Sequence, residues 1–144
     1  MQTSLKWTGK TGFMGETETG NKLKMDIPVE KGGENTGPAP MELLLLSLGG
    51  CTGIDVVTIL AKKRARLEGL EIKLEAEQAE DHPKVFKKIK IEFLFHGEEL
   101  KDSDLKRAIE LSQDKYCSVT AMLQKTAEIS YSWTIKKEES FPRT

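Results

Sequence analysis

Residues 38–60 read PAPMELLLLSLGGCTGIDVVTIL, the most apolar stretch of the chain, and they contain one of its two cysteines. Proline is tolerated at or before the first turn of a helix, so the two prolines mark a helix start. The basic run KKR at 62–64 suits a helix C-terminus, where positive charge interacts well with the helix dipole. We therefore predict one long helix from about Pro40 to Arg66.

The apolar side chains of this helix cover most of its circumference, which is typical of a buried helix. They are Leu43, Leu44, Leu45, Leu46, Leu48, Ile54, Val56, Val57, Ile59 and Leu60. Such a helix needs cover on several sides, and a small domain has little to offer beyond one sheet of about six strands. We therefore predict a homodimer in which the long helices of two copies pack near each other.

A membrane span is the alternative interpretation of this run, because it approaches the roughly 20 residues that a span requires. Glu42 and Asp55 lie inside it, and charged residues within a bilayer are costly, so we expect no membrane association. The first residues, MQTSLK, lack the basic-then-apolar layout of a signal peptide. This predicts a cytoplasmic protein whose thiols are kept reduced.

The length and charge of the chain narrow the possible functions. With 144 residues and a mixture of apolar and charged residues, residues 1–144 are expected to form a single domain. The 22 Lys and Arg residues against 23 Asp and Glu residues leave a net charge of −1. Because a phosphate backbone is bound by an excess of basic residues, we expect no nucleic acid partner.

The remaining elements follow from turn signals and from the period of the apolar residues. In chain order we predict strands at Ser4–Trp7 and Asn21–Ile27, a polar loop over Glu30–Gly37, the long helix, strands at Leu70–Glu77 and Ile89–Phe95, helices that begin near Ser103 and Ser118, and a strand at Ala127–Ile135. This order predicts an α+β fold, with antiparallel sheet strands around a long buried central helix.

Few residues of this chain can carry chemistry. The two histidines, His82 and His96, form no HxH or HExxH spacing and the cysteines form no CxxC, so we predict no zinc site. Spacing does not exclude a Cys-His pair of the protease type, but neither histidine lies in a recognisable signature, so we do not predict such a site. The sequence GGCTG at 49–53 lacks the lysine of a phosphate-binding loop. We expect no cofactor and no metal.

The two cysteines remain as candidate functional residues. Glycines at 49, 50 and 53 leave the Cys51 thiol crowded by few side chains, and Cys117 precedes a predicted helix, whose dipole favours the thiolate. The alternative is that both are buried and act as small apolar residues, a common fate of free cysteine.

Several segments together resemble the OsmC/Ohr family of thiol-dependent peroxidases, and most closely its YhfA-like branch. They are GPAPMELL at 37–44, GGCTGIDVV at 49–57, DHPKVF at 81–86 and KYCSV at 115–119. The resemblance implies an OsmC-like fold and an intertwined homodimer with active sites at the subunit interface. It also implies reduction of organic hydroperoxides, fatty acid peroxides or hydrogen peroxide. Cys51 would be peroxidatic and Cys117 resolving, through a Cys51 sulfenic acid and a Cys51–Cys117 disulfide that a dithiol reductant reopens.

The chain departs from the family pattern at two points. Better-characterised members hold the thiolate with an N-terminal arginine, whereas this chain has no arginine before Arg64. The family glutamate that orients the arginine lies ten residues before the first cysteine, where this chain has Met41, and Glu42 follows as the nearest candidate. A lysine, a helix terminus, or Arg64, Arg66 or Arg107 would have to replace the missing cation.

Two interpretations of the sequence therefore stay open. One is the dithiol peroxidase, with Cys51, Cys117 and Glu42 as site residues. The other is a non-enzymatic protein of the same fold that binds a small apolar ligand or senses redox state. We expect Asp55, one turn after Cys51, to be a structural acid paired with a lysine, an arginine or a backbone donor.

Overall fold

The structure, a computed structural model, describes residues 1–137. The chain forms two compact units, one of Met1–Leu44 and one that begins at Leu45. The single domain expected for residues 1–144 stays a prediction.

The Met1–Leu44 unit contains an antiparallel sheet of three strands. These are β1 (Thr3–Gly9), β2 (Gly12–Thr17) and β3 (Lys22–Met25), in that spatial order. The sequence predicted two strands here and missed β2. A tight turn through Lys10, with φ of 48°, joins β1 to β2.

Asp26 fixes the loop that leads into the long helix. Its side chain is buried and accepts hydrogen bonds from the hydroxyls of Thr11 (2.6 Å) and Thr36 (2.8 Å). Backbone N–H groups of Ile27 (2.8 Å), Glu34 (3.2 Å) and Thr36 (3.2 Å) complete the set. These bonds hold the pKa of the Asp26 carboxyl well below its usual range, and the bond from Thr11 has the largest effect, followed by the bond from Thr36.

The predicted long helix, α1, spans Pro40–Lys62. It ends before the predicted Arg66, because the chain turns at Arg64, whose φ is 57°. Among residues 1–137, α1 is the single helix that is long and apolar enough to cross a membrane by length and composition, a test that the core helix of a soluble protein also passes. The buried residues of α1 are Leu48, Gly49, Thr52, Val56 and Leu60.

These buried residues follow each other at intervals of one turn, so a single chain covers one stripe of α1. Large aliphatic side chains on its other faces are exposed, as Ile54 is to 68% and Leu46 to 60%. Burial on all sides, as the sequence predicted, would therefore require a further partner.

The second unit contains a sheet of β4 (Gly69–Gln78), β5 (Phe86–His96) and β6 (Glu128–Lys136), in that order. The predicted antiparallel pairing is confirmed for β4 with β5. It is wrong for β6, which runs parallel to β5. The reason is the route between them, since α2 (Asp102–Leu111) and α3 (Ser118–Leu123) form the long crossover that a parallel pair requires.

Two glycines let α1 approach β4 closely. A Cβ atom at Gly49 would lie 2.8 Å from Leu74 Cδ1, and one at Gly53 would lie 3.0 Å from Ile72 Cδ1. These glycines therefore serve the contact between helix and sheet. The space that the sequence predicted beside Cys51 is present at Gly50, where a Cβ would meet nothing within 4 Å.

Candidate active site at Cys51 and Cys117

The structure brings the two predicted cysteines together. The Sγ atoms of Cys51 and Cys117 and a carboxylate oxygen of Asp55 all lie within 4.8 Å of one another. Both thiols are free. Cys51 and Asp55 share one face of α1 because they are one turn apart. Cys117 comes from a segment far away in the sequence.

A π-helical turn places Cys117. Residues Ser112–Tyr116 continue α2 in π-helical form, and the Cys117 N–H donates to the Ser112 carbonyl at 2.8 Å. Cys117 is then extended, with φ of −74° and ψ of 101°, and caps the start of α3. π-Helical turns inside helices occur frequently at functional sites. The sequence analysis did not predict this turn.

Burial dominates the titration of Cys117. Its side chain is only 3% exposed, and this burial raises the pKa of the thiol. Hydrogen bonds from Thr120, including its N–H to Cys117 Sγ at 3.4 Å, lower the pKa, whereas contact with the Cys51 thiol raises it again. The net pKa is raised. The sequence argument from the helix start predicted the opposite, because it did not include burial.

A buried polar network leads to the carboxylate of Asp55. Ser112 Oγ donates to Asp55 Oδ2 at 2.8 Å, so its own oxygen accepts from Thr52 Oγ1, also at 2.8 Å. Thr52 Oγ1 in turn accepts from Gln113 Nε2 at 2.8 Å, and Gln113 Oε1 accepts from Thr120 Oγ1 at 3.3 Å. Each donor in this chain of hydrogen bonds, from Thr120 onwards, points towards Asp55. Asp55 is therefore held by a hydroxyl rather than by the predicted cation or backbone donor.

Sequence reasoning missed Thr52, Ser112, Gln113 and Thr120. A weak signal was available, since Thr52 lies on the buried stripe of a helix that is otherwise aliphatic on that face. A buried hydroxyl requires a partner, but the sequence does not say where that partner is.

Glu42, the third predicted site residue, lies in the first turn of α1. Its Oε2 accepts a hydrogen bond from the N–H of Ala39 at 2.9 Å, which satisfies one of the free donors at the helix start. Cys51 follows about two and a half helical turns later. The hydrogen bond to Ala39 therefore gives Glu42 a structural role at the start of α1. Its role at the thiols stays a prediction.

Two of the three arginines suggested as cations for Cys51 are paired with acids at the surface. Arg66 lies 3.1 Å from Glu99, and Arg107 lies 4.0 Å from Glu110. Exposed pairs of this kind are weak, so they do not prevent either arginine from moving to another acceptor.

The thiols and Asp55 supply three donor atoms of the kinds that bind metals. A structural zinc site is closed by four protein ligands, and no histidine or further acid among residues 1–137 joins this cluster. We interpret it as a thiol site.

Known proteins share similarity with this chain over most of its length. The sequence matches the model of the OsmC family, described as OsmC-like protein, over residues 33–132. It is 40% identical over 138 residues to Protein YhfA of Escherichia coli strain K12, covering 94% of this chain and 98% of the relative.

Solved structures of other proteins are also similar to this chain. A hypothetical protein from Aquifex aeolicus VF5 has a TM-score of 0.84 and 36% identity, covering 96% of this chain and 97% of that one. An organic hydroperoxide resistance protein OsmC from Legionella pneumophila has a TM-score of 0.69. Its identity is 19%, over 93% of this chain and 97% of that one, so this likeness shows the fold.

Proposed function

The chain belongs to the family of OsmC-like proteins, and we propose that it is a dithiol peroxidase that reduces organic hydroperoxides or hydrogen peroxide. The observation that carries this proposal is the approach of the Cys51 and Cys117 sulfurs to within 4.8 Å, although the residues lie on different elements. The proximity of the two sulfurs supports their joining in a disulfide bond, whose S–S length is about 2.05 Å.

The difference in exposure supports the proposed roles of the two cysteines. Cys51 is partly exposed, whereas Cys117 is buried, so a peroxide reaches Cys51 first. The Cys51 thiolate attacks the O–O bond, which breaks and leaves a sulfenic acid on Cys51; an organic hydroperoxide releases an alcohol, and hydrogen peroxide releases water. Cys117 then attacks the Cys51 sulfur, a disulfide forms and water leaves. An external dithiol supplies the two electrons that restore both thiols, and the cycle needs no cofactor.

We also propose that the active form is a homodimer. Leu44, Leu46, Ile54 and Val57 of α1 are exposed to between 38% and 68%, an unusual concentration of large aliphatic side chains on one helix. A second copy would cover them and would supply a cation for the Cys51 thiolate. Light scattering at micromolar concentration should give twice the mass of one chain. A folded monomer would contradict this part of the proposal.

The OsmC-like fold is a fold of soluble proteins. We place the peroxidase in the cytoplasm, where reductants keep thiols reduced and a dithiol can complete the cycle. With a net charge of −1, the chain offers no basic excess to nucleic acid.

Peroxide consumption with dithiothreitol as reductant tests the function. Wild type should consume cumene hydroperoxide over many turnovers, and Cys51→Ser should not exceed the uncatalysed rate. Cys117→Ser should complete one turnover and then gain further oxygen on Cys51, detectable by mass spectrometry, because its sulfenic acid has no resolving thiol. The double serine variant, checked by circular dichroism, is the control for folding. Equal activity in wild type and Cys51→Ser would overturn the proposal.

A cavity in the Met1–Leu44 unit favours a second candidate function, the binding of a small apolar ligand. Its volume is about 330 Å³, within the range of small-molecule sites. It is lined by Leu5, Thr11, Phe13, Met25, Asp26, Ile27 and Pro40. Displacement of a fluorescent fatty acid by unlabelled apolar compounds, measured on the double serine variant, would detect this function separately from thiol chemistry. Lack of displacement would exclude it.

A further inference from the structure

We propose that Asp55 is the general base that takes the proton of Cys117 when this thiol resolves the oxidised Cys51. The inference rests on the dithiol cycle proposed above and adds a catalytic residue to it. An Asp55 carboxylate oxygen lies within 4.8 Å of both sulfurs. A general base acts directly or through one water molecule, and such contacts are often longer before the reacting state forms.

Cys117 requires such a base. The thiolate is the nucleophile in disulfide formation, and the protonated thiol attacks poorly. Cys117 is 3% exposed, so bulk water has little access to its proton. Burial also raises the pKa of Cys117, and therefore the thiol stays protonated at neutral pH. A carboxylate beside it would remove the proton when it is needed.

The surroundings of Asp55 suit this role. Ser112 donates to Oδ2, which fixes the carboxylate, and no residue in the described range 1–137 donates a hydrogen bond to the other oxygen. The network behind Ser112 is made of buried polar side chains, which are costly unless satisfied. Its hydrogen bonds all point towards Asp55, so they fix the orientation of the carboxylate beside the two sulfurs.

Asp55 accepts the proton of the Cys117 thiol while the Cys117 sulfur forms a bond to the Cys51 sulfur. The S–O bond of the sulfenic acid breaks, and its oxygen leaves as hydroxide. Asp55 then gives the proton to the hydroxide, and water departs. The sulfenic sulfur of Cys51 is reduced, Cys117 is oxidised, and the carboxylate is restored.

An aromatic disulfide tests this step without peroxide. With one equivalent of dithiobis-nitrobenzoate, Cys51 forms a mixed disulfide and releases one thionitrobenzoate. Attack by Cys117 releases the second in a step whose rate is independent of reagent concentration. Since thionitrobenzoate leaves as a stable anion, this second step reports the deprotonation of Cys117.

In Asp55→Asn, the second release should slow by about a hundredfold, the lower range for general bases. Its rate should then rise by about tenfold per pH unit as Cys117 ionises to solvent, whereas the wild-type rate should depend less on pH. Asp55→Glu should recover part of the rate. Asp104→Asn, which removes an equal charge from α2 at its pair with Lys63, is the matched control and should resolve at the wild-type rate.

Wild-type resolution in Asp55→Asn would overturn the proposal, as would a loss of rate that is the same at every pH. Should Asp55→Asn fail to fold, Ser112→Ala provides the test, because it releases the carboxylate and should slow the second step in a manner that high pH reverses. A wild type that releases only one thionitrobenzoate would defeat both the dithiol cycle and the role of Asp55. A third outcome is slow release in Asp55→Asn that high pH restores, together with no peroxide turnover in wild type. This outcome would support the role of Asp55 as a general base and would contradict only the proposed peroxidase function.

Discussion

Two aspartates in this chain accept hydrogen bonds from neutral groups, and they have different roles. In the Met1–Leu44 unit, Asp26 accepts hydrogen bonds on both oxygens from two hydroxyls and three backbone N–H groups. In the second unit, Asp55 accepts a hydrogen bond from Ser112 and faces two thiols. A carboxylate whose acceptor sites are filled fixes a loop, whereas one with an oxygen available can exchange a proton.

The largest expected contrast is in thiol chemistry. Asp26→Asn should leave the second release of thionitrobenzoate at the wild-type rate, while Asp55→Asn should slow it by about a hundredfold. Stopped-flow absorbance of the two variants side by side measures the contrast. Equal rates in the two variants would remove the distinction between them.

The second contrast is in acid stability. Because hydrogen bonds lower the folded pKa of Asp26, its contribution to stability is complete above the ordinary carboxyl pKa of about 3.9 and is lost as the pH falls below it. Wild type should therefore become less stable in urea melts on acidification through that range. Asp26→Asn should start less stable at neutral pH and lose less on acidification. Parallel curves for the two proteins would show that Asp26 does not carry this dependence.

The third contrast concerns the hydroxyls that hold each carboxylate. Ser112→Ala should cost about 1–3 kcal/mol of unfolding free energy, because it leaves Thr52 without its buried acceptor, and it should also slow resolution. Thr36→Ala should cost less, since the backbone N–H of residue 36 still binds Asp26, and it should leave resolution unchanged. Urea denaturation and thionitrobenzoate release measure the two effects. Slowed resolution in Thr36→Ala would contradict the assignment.

The smallest expected effect tests the packing beneath the thiol site. Gly50→Ala should stabilise α1 by up to about 1 kcal/mol, because alanine favours a helix and a Cβ there meets nothing. Gly49→Ala has the same propensity gain but presses on Leu74 Cδ1, so it should be the less stable of the pair in thermal melts. A Gly49→Ala variant that is more stable than Gly50→Ala would mean that α1 or Leu74 of β4 shifts to accommodate the added methyl group.

Local patterns were enough to predict much of this fold. The apolar run with its prolines gave α1, and strict alternation gave β4 and β5. β2, which reads GFMGET, was missed because two glycines interrupt its pattern and read as turn signals. The direction of β6 was missed because it depends on the path of α2 and α3, which no pattern within β6 records.

The candidate site was predictable only in part. The family motifs named both cysteines, but the pairing of Asp55 with Ser112 joins residues 57 positions apart. Nothing in either local sequence specifies the other. The raised pKa of Cys117 likewise comes from burial, which a helix-start argument does not contain.

The π-helical turn after α2 has a consequence for how this site can be gained or lost. The bond from the Cys117 N–H to Ser112 encloses one residue more than an α-helical turn would. Deletion of a single codon within residues 113–116 would let the turn continue as α-helix and rotate the following chain by about 100° about the helix axis. The buried face of α2, with Leu105, Ala108 and Ile109, would keep its register, while Cys117 would turn away from Cys51. A relative with one residue fewer at this point could thus keep both cysteines in its sequence and still be unable to join them.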